Sequence, residues 1–135
     1  MKAFIVDTNA LLSFVTDRNP KQQMKVASLF EKAAEMDCKI LCHVHVITEF
    51  VYLLEKVYGQ KKTAIREMVT DLINMPGVDL IHHIDFKVLF DFWPGTVTDF
   101  GDAVVASVWS ENRRATVVTF DHRFTKELKQ IGALI

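Results

Sequence analysis

Four acidic side chains of this 135-residue chain are candidates for one shared metal site. Asp7 ends the first apolar run of the sequence, Glu49 follows the second, and Asp121 follows a later one, while Asp102 opens a helical pattern before it. No cysteine cluster accompanies them. Oxygen ligands of this kind favour a hard divalent ion, Mg²⁺ or Mn²⁺, which needs only a few carboxylates.

Asp99 and Asp102 lie three residues apart at the start of that helical pattern. Spacings of three and four residues put both on one helix face with Val105, Ala106 and Trp109, and we expect this face to be buried. Carboxylates at the end of an apolar stripe are unfavourable unless a cation meets them. Asp99 is therefore a fifth candidate ligand.

Each acid also has an ordinary structural interpretation. Asp99 and Asp102 suit a helix N-cap and a first turn, Glu49 suits a solvated helix position, and Asp7 and Asp121 suit turns or caps. Four such coincidences at one edge of a fold are less frequent than a single site. The metal hypothesis therefore depends on the whole set.

The acids can meet only if the chain forms a suitable sheet. Short apolar runs alternate with longer segments of helical period, which is typical of an α/β fold with right-handed crossovers. The predicted strands are 3–7, 39–43, 78–82, 115–119 and 133–135, and the predicted helices are 10–16, 21–36, 46–58, 63–74, 86–93, 99–111 and 123–130. The strands lack in-out alternation, which indicates a three-layer α/β/α sandwich with a mostly parallel central sheet. The carboxyl ends of parallel strands meet at one edge, where ligands bind, and the acids are expected there.

Composition places the chain among single globular domains, here residues 1–135. Half of the residues are hydrophobic and 24% are charged, so the chain can bury a core and is not disordered. The net charge of -1 gives no overall basic field, and a nucleic-acid partner would need local Lys and Arg residues. No run approaches the roughly 18 apolar residues of a membrane helix, and no signal-peptide core follows Met1, so we expect a cytoplasmic protein.

Cys38, Cys42, His43 and His45 have the composition of a zinc site but not its geometry. In the predicted strand, the two cysteines lie about 13 Å apart at about 3.3 Å per residue. This distance is too long for a disulfide or for one tetrahedral ion. Neither is expected.

The chain resembles the PIN domain, the small metal-dependent ribonuclease fold used by VapC-like toxins. The matching pieces are Phe4-Ile5-Val6-Asp7-Thr8-Asn9-Ala10-Leu11-Leu12, Ile47-Thr48-Glu49-Phe50, Asp102-Ala103-Val104-Val105-Ala106 and Thr119-Phe120-Asp121-His122-Arg123-Phe124. Their order and spacing agree with the family over the whole chain. The segment from about Gly59 to Trp93 matches nothing specific and leaves the substrate open.

The resemblance implies a metal-dependent endoribonuclease, the toxin of a type II toxin-antitoxin pair, which acts on RNA as a homodimer and is silenced by a cognate antitoxin. The implied acidic quartet that holds Mg²⁺ or Mn²⁺ consists of Asp7, Glu49, Asp102 and Asp121, with Asp99 as a fifth. Asn9 and Thr119 are implied supporting residues that steady an acid or a water. The chemistry agrees, because a metal offsets the repulsion between carboxylates and a phosphodiester and acidifies an attacking water.

Arg123 is the predicted RNA-binding residue, since it follows Asp121 by two residues and must lie near the same edge. The aromatic residues Phe86, Phe90, Phe92 and Trp93 are better explained as core or dimer surface than as a base-stacking platform.

Two other functions compete with the nuclease. A non-catalytic PIN-like module that binds RNA or protein has no need of clustered carboxylates. A phosphate-receiving signalling domain or phosphatase asks for a second acid beside Asp7 or for a strand-end lysine, and neither Asp7-Thr8-Asn9 nor Thr119-Phe120-Asp121 provides one.

Overall fold

The computed structural model of the protein describes all 135 residues. Its strands are β1 (Lys2–Val6), β2 (Cys38–His43), β3 (Val78–Ile81) and β4 (Thr116–Val118). Its helices are α1 (Thr8–Val15), α2 (Pro20–Ala34), α3 (Val44–Lys56), α4 (Lys62–Asn74), α5 (Phe86–Phe92), α6 (Phe100–Glu111) and α7 (His122–Gln130). All seven predicted helices and the first four predicted strands are present, with ends that differ by one or two residues. None of the helices combines the length and apolar character needed to cross a bilayer.

The four strands form one parallel sheet in the order β3-β2-β1-β4. The predicted parallel sheet and α/β/α sandwich are therefore confirmed. The chain first adds β2 and β3 on one side of β1, and then returns to place β4 on the other side. This reversal leaves a crevice at the carboxyl ends of β1 and β4, which is where open α/β sheets bind ligands.

The predicted fifth strand, Ala133–Ile135, is wrong. Only Leu134 pairs with the sheet, through one isolated parallel bridge to Thr116 and a 2.8 Å hydrogen bond that the Val117 amide donates to its carbonyl. The preceding Gly132 has a φ of 84°, which turns the chain just before its end. After this turn only Leu134 is in register with Thr116, so no ladder forms.

The core consists of 29 buried apolar residues in one cluster. Helix α6 lies at its centre and contacts β1, β2, α3 and α5. Residues 103–109 of this helix are all buried, so the expectation of a single buried face is wrong: neighbouring elements cover α6 on every side. Asp102 consequently stands at the start of the most enclosed helix of the protein.

Candidate metal centre

Asp7 occupies the junction between β1 and α1. It is the N-cap of α1, and its Oδ1 accepts a 2.8 Å hydrogen bond from the Ala10 amide. The pKa of Asp7 is raised to about 6, mainly by burial and in smaller part by the nearby Asp121 carboxylate, while hydrogen bonds from Thr119 and Ala10 oppose the rise. The free apo site therefore disfavours the ionised form of this carboxyl.

Asp102 lies in the first turn of α6 and is half-buried. Its pKa is raised to about 7, first by burial and then by the carboxylates of Asp99, Asp7 and Asp121. Arg123 opposes this shift weakly, with its Nη2 3.6 Å from Asp102 Oδ2. Asp102 thus experiences the negative charge of three other acids at once.

Asp99 and Asp121 are both helix N-caps. Asp99 Oδ1 accepts a 2.9 Å hydrogen bond from the Asp102 amide, and Asp121 Oδ1 accepts a 3.1 Å hydrogen bond from the Phe124 amide. Asp99 is exposed, so its expected place on a buried face is wrong. Its exposure follows from the cap position, which lies outside the enclosed turns of α6.

Glu49 lies in the second turn of α3. The predicted helix, 46–58, would have put it in the first turn, but α3 begins two residues earlier, at Val44. The helix starts at Val44 because His43 caps it: His43 Nδ1 accepts a 2.9 Å hydrogen bond from the His45 amide. The Glu49 carboxylate is positioned by two side chains. Thr8 Oγ1 donates to its Oε1 at 3.3 Å, and His45 Nε2 lies 3.3 Å from the same oxygen.

Gly101 allows Glu49 to approach α6 closely. A Cβ at this position would lie 2.6 Å from Glu49 Oε1 and 3.2 Å from Asp99 Oδ1. A side chain there would therefore displace a carboxylate. The absence of one lets the acids of α3 and α6 share a small space.

All five predicted acids line one pocket of about 170 Å³ at the carboxyl edge of the sheet. Its other lining residues are Thr8, Asn9, Leu12, Leu53, Gly101, Val105 and Arg123. In the positions that the side chains occupy, no group of three His, Cys, Asp or Glu residues is close enough to hold one ion. The five acids nevertheless fit a hard divalent cation, because all their donors are carboxylate oxygens. Burial and then repulsion by the other acids raise the pKa of Asp102, and a cation would relieve that repulsion.

The fold and the position of the acids agree with a known protein family. The sequence model described as PIN domain matches residues 4–127 of the chain. The chain belongs to the PIN domain family. Comparison with curated protein sequences gives no significant match.

Among solved structures, the chain is similar to the Mycobacterium tuberculosis protein VapC20, a toxin that cleaves the sarcin-ricin loop. The superposition has a TM-score of 0.68 and covers 91% of this chain and 93% of that chain, with 17% sequence identity. At this identity, the similarity shows that the two proteins share the PIN fold.

The two residues predicted to support the acids differ in position, since Asn9 lines the pocket and Thr119 does not. Thr119 Oγ1 accepts a 3.2 Å hydrogen bond from the Asp121 amide. The Thr119 side chain also hydrogen-bonds the Asp7 carboxyl, which lowers the pKa of Asp7. It therefore contacts two acids. Asn9 lines the pocket, but its side-chain oxygen accepts a 3.0 Å hydrogen bond from Arg18. Arg123 lies at the pocket as expected, although its guanidinium faces Asp102.

Four residues in or next to the pocket of this PIN domain were not singled out in the sequence. Thr8 and Gly101 line the pocket, while Arg18 and His45 contact its lining residues Asn9 and Glu49. Two of them carried a signal. Gly101 directly precedes Asp102, and His45 precedes Glu49 by four residues, a spacing that puts both on one helix face. Thr8 and Arg18 carried none, because their partners come from other elements.

His43, the last residue of β2, is hydrogen-bonded to the backbone of two other histidines. Its Nε2 lies 2.8 Å from the His83 carbonyl oxygen, so the ring donates there while Nδ1 accepts from His45. Burial lowers the pKa of His43, and the neutral ring is the form that serves both contacts. Burial likewise raises the pKa of the Cys42 thiol to about 12, which disfavours the thiolate that a zinc site would need.

Proposed function

We propose that this PIN domain is a divalent-metal-dependent endoribonuclease and the toxin of a type II toxin-antitoxin pair. The observation that carries the proposal is the pocket at the crevice between β1 and β4, which is lined by five carboxylates. VapC20, which shares the fold, is itself a toxin that cleaves RNA of the sarcin-ricin loop. The proposed function would place the protein in the cytoplasm, where its RNA substrates are found.

Asp7, Glu49, Asp102 and Asp121 are the residues that would hold Mg²⁺ or Mn²⁺, with Asp99 at the margin. When bound, the cation supplies positive charge for the scissile phosphate and lowers the pKa of a water. In the metal-free site, Asp102, with a pKa of about 7, is partly protonated near neutral pH, and a bound cation would favour its ionised form. Thr8 and His45 orient Glu49, while Thr119 steadies Asp7 and Asp121. Arg123 would bind a phosphate oxygen of the RNA.

The experiment that tests this function is an RNA cleavage assay with purified protein. We expect cleavage with Mn²⁺ or Mg²⁺, loss of cleavage with EDTA, and recovery when the metal is added back. Asp102→Asn should abolish cleavage, because it removes charge from the site at nearly constant volume. Asp79→Asn is the matched control, since Asp79 is an acid outside the pocket that pairs with Lys39 at 3.2 Å.

The assay also distinguishes the competing function. A non-catalytic PIN-like module would bind RNA without cleaving it under any metal condition. Turnover by Asp102→Asn at the wild-type rate would mean that the pocket acids are not the catalytic site.

A cognate antitoxin would need an apolar surface on this protein. Such a surface exists as a groove of about 240 Å³, lined by Leu11, Phe14, Val15, Phe50, Met68, Leu72 and Met75, with one acid, Asp71. Leu11, Phe50 and Leu72 are already buried, and an apolar segment of an antitoxin would bury the partly exposed side chains of the groove, which are Phe14, Val15, Met68 and Met75. This groove supports the proposal of a protein partner.

A second copy of the chain is the proposed occupant of the exposed aromatic face of α5. Phe86 and Phe90 are 51% and 57% exposed, one helical turn apart, and their ring centroids are 5.9 Å apart. The Phe90 ring is 6.2 Å from that of Trp93. A contiguous aromatic face of this kind is typical of protein interfaces, and it supports the homodimer that the family resemblance implied.

A further inference from the structure

Arg18 is held in a fixed position beside the candidate metal centre. It lies between α1 and α2, and its side chain folds back over α1. Its Nη2 donates to the Asn9 carbonyl oxygen at 2.8 Å, to Asn9 Oδ1 at 3.0 Å and to Ser13 Oγ at 3.0 Å. Ser13 is buried and donates its own hydrogen to Gln22 at 2.8 Å, so its oxygen is free to accept from Arg18.

The positive charge of Arg18 is not neutralised by a carboxylate. Every hydrogen-bond partner of its guanidinium is a neutral oxygen, namely those of Asn9, Ser13 and Tyr58. Arg123, on the other side of the pocket, pairs with Asp102 instead. Arg18 is connected to the pocket through Asn9, which lines it and accepts from Arg18 at 3.0 Å.

The guanidinium and Tyr58 together keep two donors free. An arginine has five N–H donors. The Nε hydrogen and both Nη2 hydrogens point to Ser13 and Asn9, and one Nη1 hydrogen is donated to the Tyr58 hydroxyl at 3.3 Å. One N–H of Nη1 remains, and the hydrogen of the Tyr58 hydroxyl has no acceptor. Arg18 is exposed and Tyr58 is 37% exposed, so a ligand can approach this pair from solvent.

We propose that Arg18 and Tyr58 bind one phosphate of the RNA backbone next to the scissile phosphate. A fixed cation with an adjacent N–H and O–H has the donor set that a phosphate oxygen requires. Asn9, which holds Arg18, also lines the metal pocket, and this connects the two sites. The inference depends on the proposed nuclease function and adds a residue pair that positions the substrate.

The test measures the binding of a labelled 20-nucleotide single-stranded RNA to the full chain as a function of NaCl concentration. Asp102→Asn serves as the cleavage-deficient parent. We expect Arg18→Gln to weaken binding and to reduce the slope of log Kd against log [NaCl] by about 0.7, the contribution of one phosphate contact on a single strand. Arg18→Lys should retain this slope, because it keeps the charge.

Tyr58→Phe should weaken binding by about 2- to 10-fold, the effect of one lost hydrogen bond, without changing the slope. The matched control is Arg114→Gln, since Arg114 is an exposed arginine beside Met1 and Lys2, away from the metal pocket. In the wild-type background, Arg18→Gln should raise KM for RNA by a larger factor than it lowers kcat, because a lost phosphate contact acts on substrate binding.

Two outcomes would overturn the inference and they can be told apart. If the parent binds RNA and Arg18→Gln has the same slope as the parent, or a slope no different from that of Arg114→Gln, Arg18 is only a structural tie. If the wild type neither binds nor cleaves RNA, the nuclease function itself fails, and this inference fails with it. If Arg18→Gln does not fold, Arg18→Lys and Tyr58→Phe still test the inference. An unchanged RNA affinity in Tyr58→Phe would mean that Arg18 and Tyr58 do not bind a phosphate together.

Discussion

At the scale of single residues, the pocket is a collection of like charges that the fold holds against their repulsion. Asp7 is only 4% exposed, and Asp102 experiences three other carboxylates. Gly101 shows how closely these groups are packed, because it provides the space in which Glu49 lies. The acids are therefore sensitive to displacements smaller than one methyl group.

We predict that Gly101→Ala reduces RNA cleavage at least about tenfold with little loss of stability, because a misplacement of about 1 Å can reduce catalysis up to a hundredfold. The new Cβ would displace the end of the Glu49 side chain, which is flexible. Alanine also favours the helix over glycine by up to about 1 kcal/mol. The measurements are kcat/KM and Tm.

Gly95→Ala is the control, since its nearest non-local atom lies 4.0 Å from the position of the new Cβ. Full activity in Gly101→Ala would show that Glu49 tolerates displacement and contributes little to the site.

At the scale of the elements, helix capping and the candidate site use the same residues. Asp7, Asp99 and Asp121 are the N-caps of α1, α6 and α7, and each uses its Oδ1 for the cap. The second carboxylate oxygen accepts no such bond and is available to a cation. These three aspartates can therefore cap their helices and still bind a cation.

We predict that Asp121→Asn and Asp121→Ala separate these two roles. Asparagine caps as well as aspartate, whereas the loss of a cap costs about 1 kcal/mol. Asp121→Asn should lose cleavage and be at least as stable as the apo wild type, because it keeps the cap and removes a charge that repels Asp7 and Asp102. Asp121→Ala should lose cleavage and have a free energy of unfolding about 1 kcal/mol lower than that of Asp121→Asn. Denaturant unfolding and the cleavage assay measure the two effects.

Asp85→Ala provides the comparison at another helix. Asp85 caps α5 by accepting from the amides of Lys87 and Val88, and it does not line the pocket. This variant should lose a similar amount of stability and keep its activity. Normal cleavage by Asp121→Asn would mean that Asp121 is a cap alone.

At the scale of the whole molecule, the carboxylates link stability to pH and to metal. The folded-state pKa of Asp7 is raised from 3.8 to about 6 and that of Asp102 from 3.8 to about 7. Between pH 3.8 and pH 6 to 7, the folded protein binds more protons than the unfolded chain. The stability that these two carboxyls contribute is therefore present at low pH and is lost as pH rises through 6 and 7. His43 has the opposite sign, since its lowered pKa disfavours folding at pH below 6.5.

We predict that apo Asp102→Asn melts higher than apo wild type at pH 7.5 and that the difference shrinks at pH 5. At the lower pH, Asp102 is protonated in the folded wild type, so the substitution relieves no charge. Comparing the two proteins cancels the contributions of His43 and of the other groups. The measurement is Tm in EDTA at both pH values.

Mn²⁺ should raise the Tm of the wild type at pH 7.5 and raise that of Asp102→Asn less. A hundredfold excess of metal over Kd stabilises by about 2.7 kcal/mol. A wild-type Tm that is insensitive to metal, or a variant that melts below the apo wild type, would contradict a clustered metal site.

The homodimer is also tested at this scale. We expect the wild-type chain to sediment as a dimer, and the double variant Phe86→Ser, Phe90→Ser to sediment as a monomer with an unchanged circular dichroism spectrum, because both side chains are already exposed in the single chain. Lys87→Ser, on the same helix, is the control. A monomeric wild type at micromolar concentration would remove the basis for an α5 interface.

The sequence by itself determined the order of the elements, the parallel sheet and the edge at which the acids would lie. Each of these follows from local information: the periodicity of apolar residues gives helices and strands, and parallel strands must place their carboxyl ends on one side. Asp7 and Asp121 could be located in this way because each directly follows a strand. Glu49 was expected there because its helix follows the second strand, and Asp102 because it opens the helix that leads into the fourth.

Only the tertiary structure decided how the side chains around these acids are arranged. The contacts of Glu49 with Thr8, of Arg18 with Tyr58 and of Gly101 with Glu49 join residues about 40 or more positions apart. The pairing of Arg123 with Asp102 and the burial of α6 on every side likewise depend on how separate elements pack. Such contacts leave no periodic pattern in the sequence, because they depend on distances that are set only when the core closes.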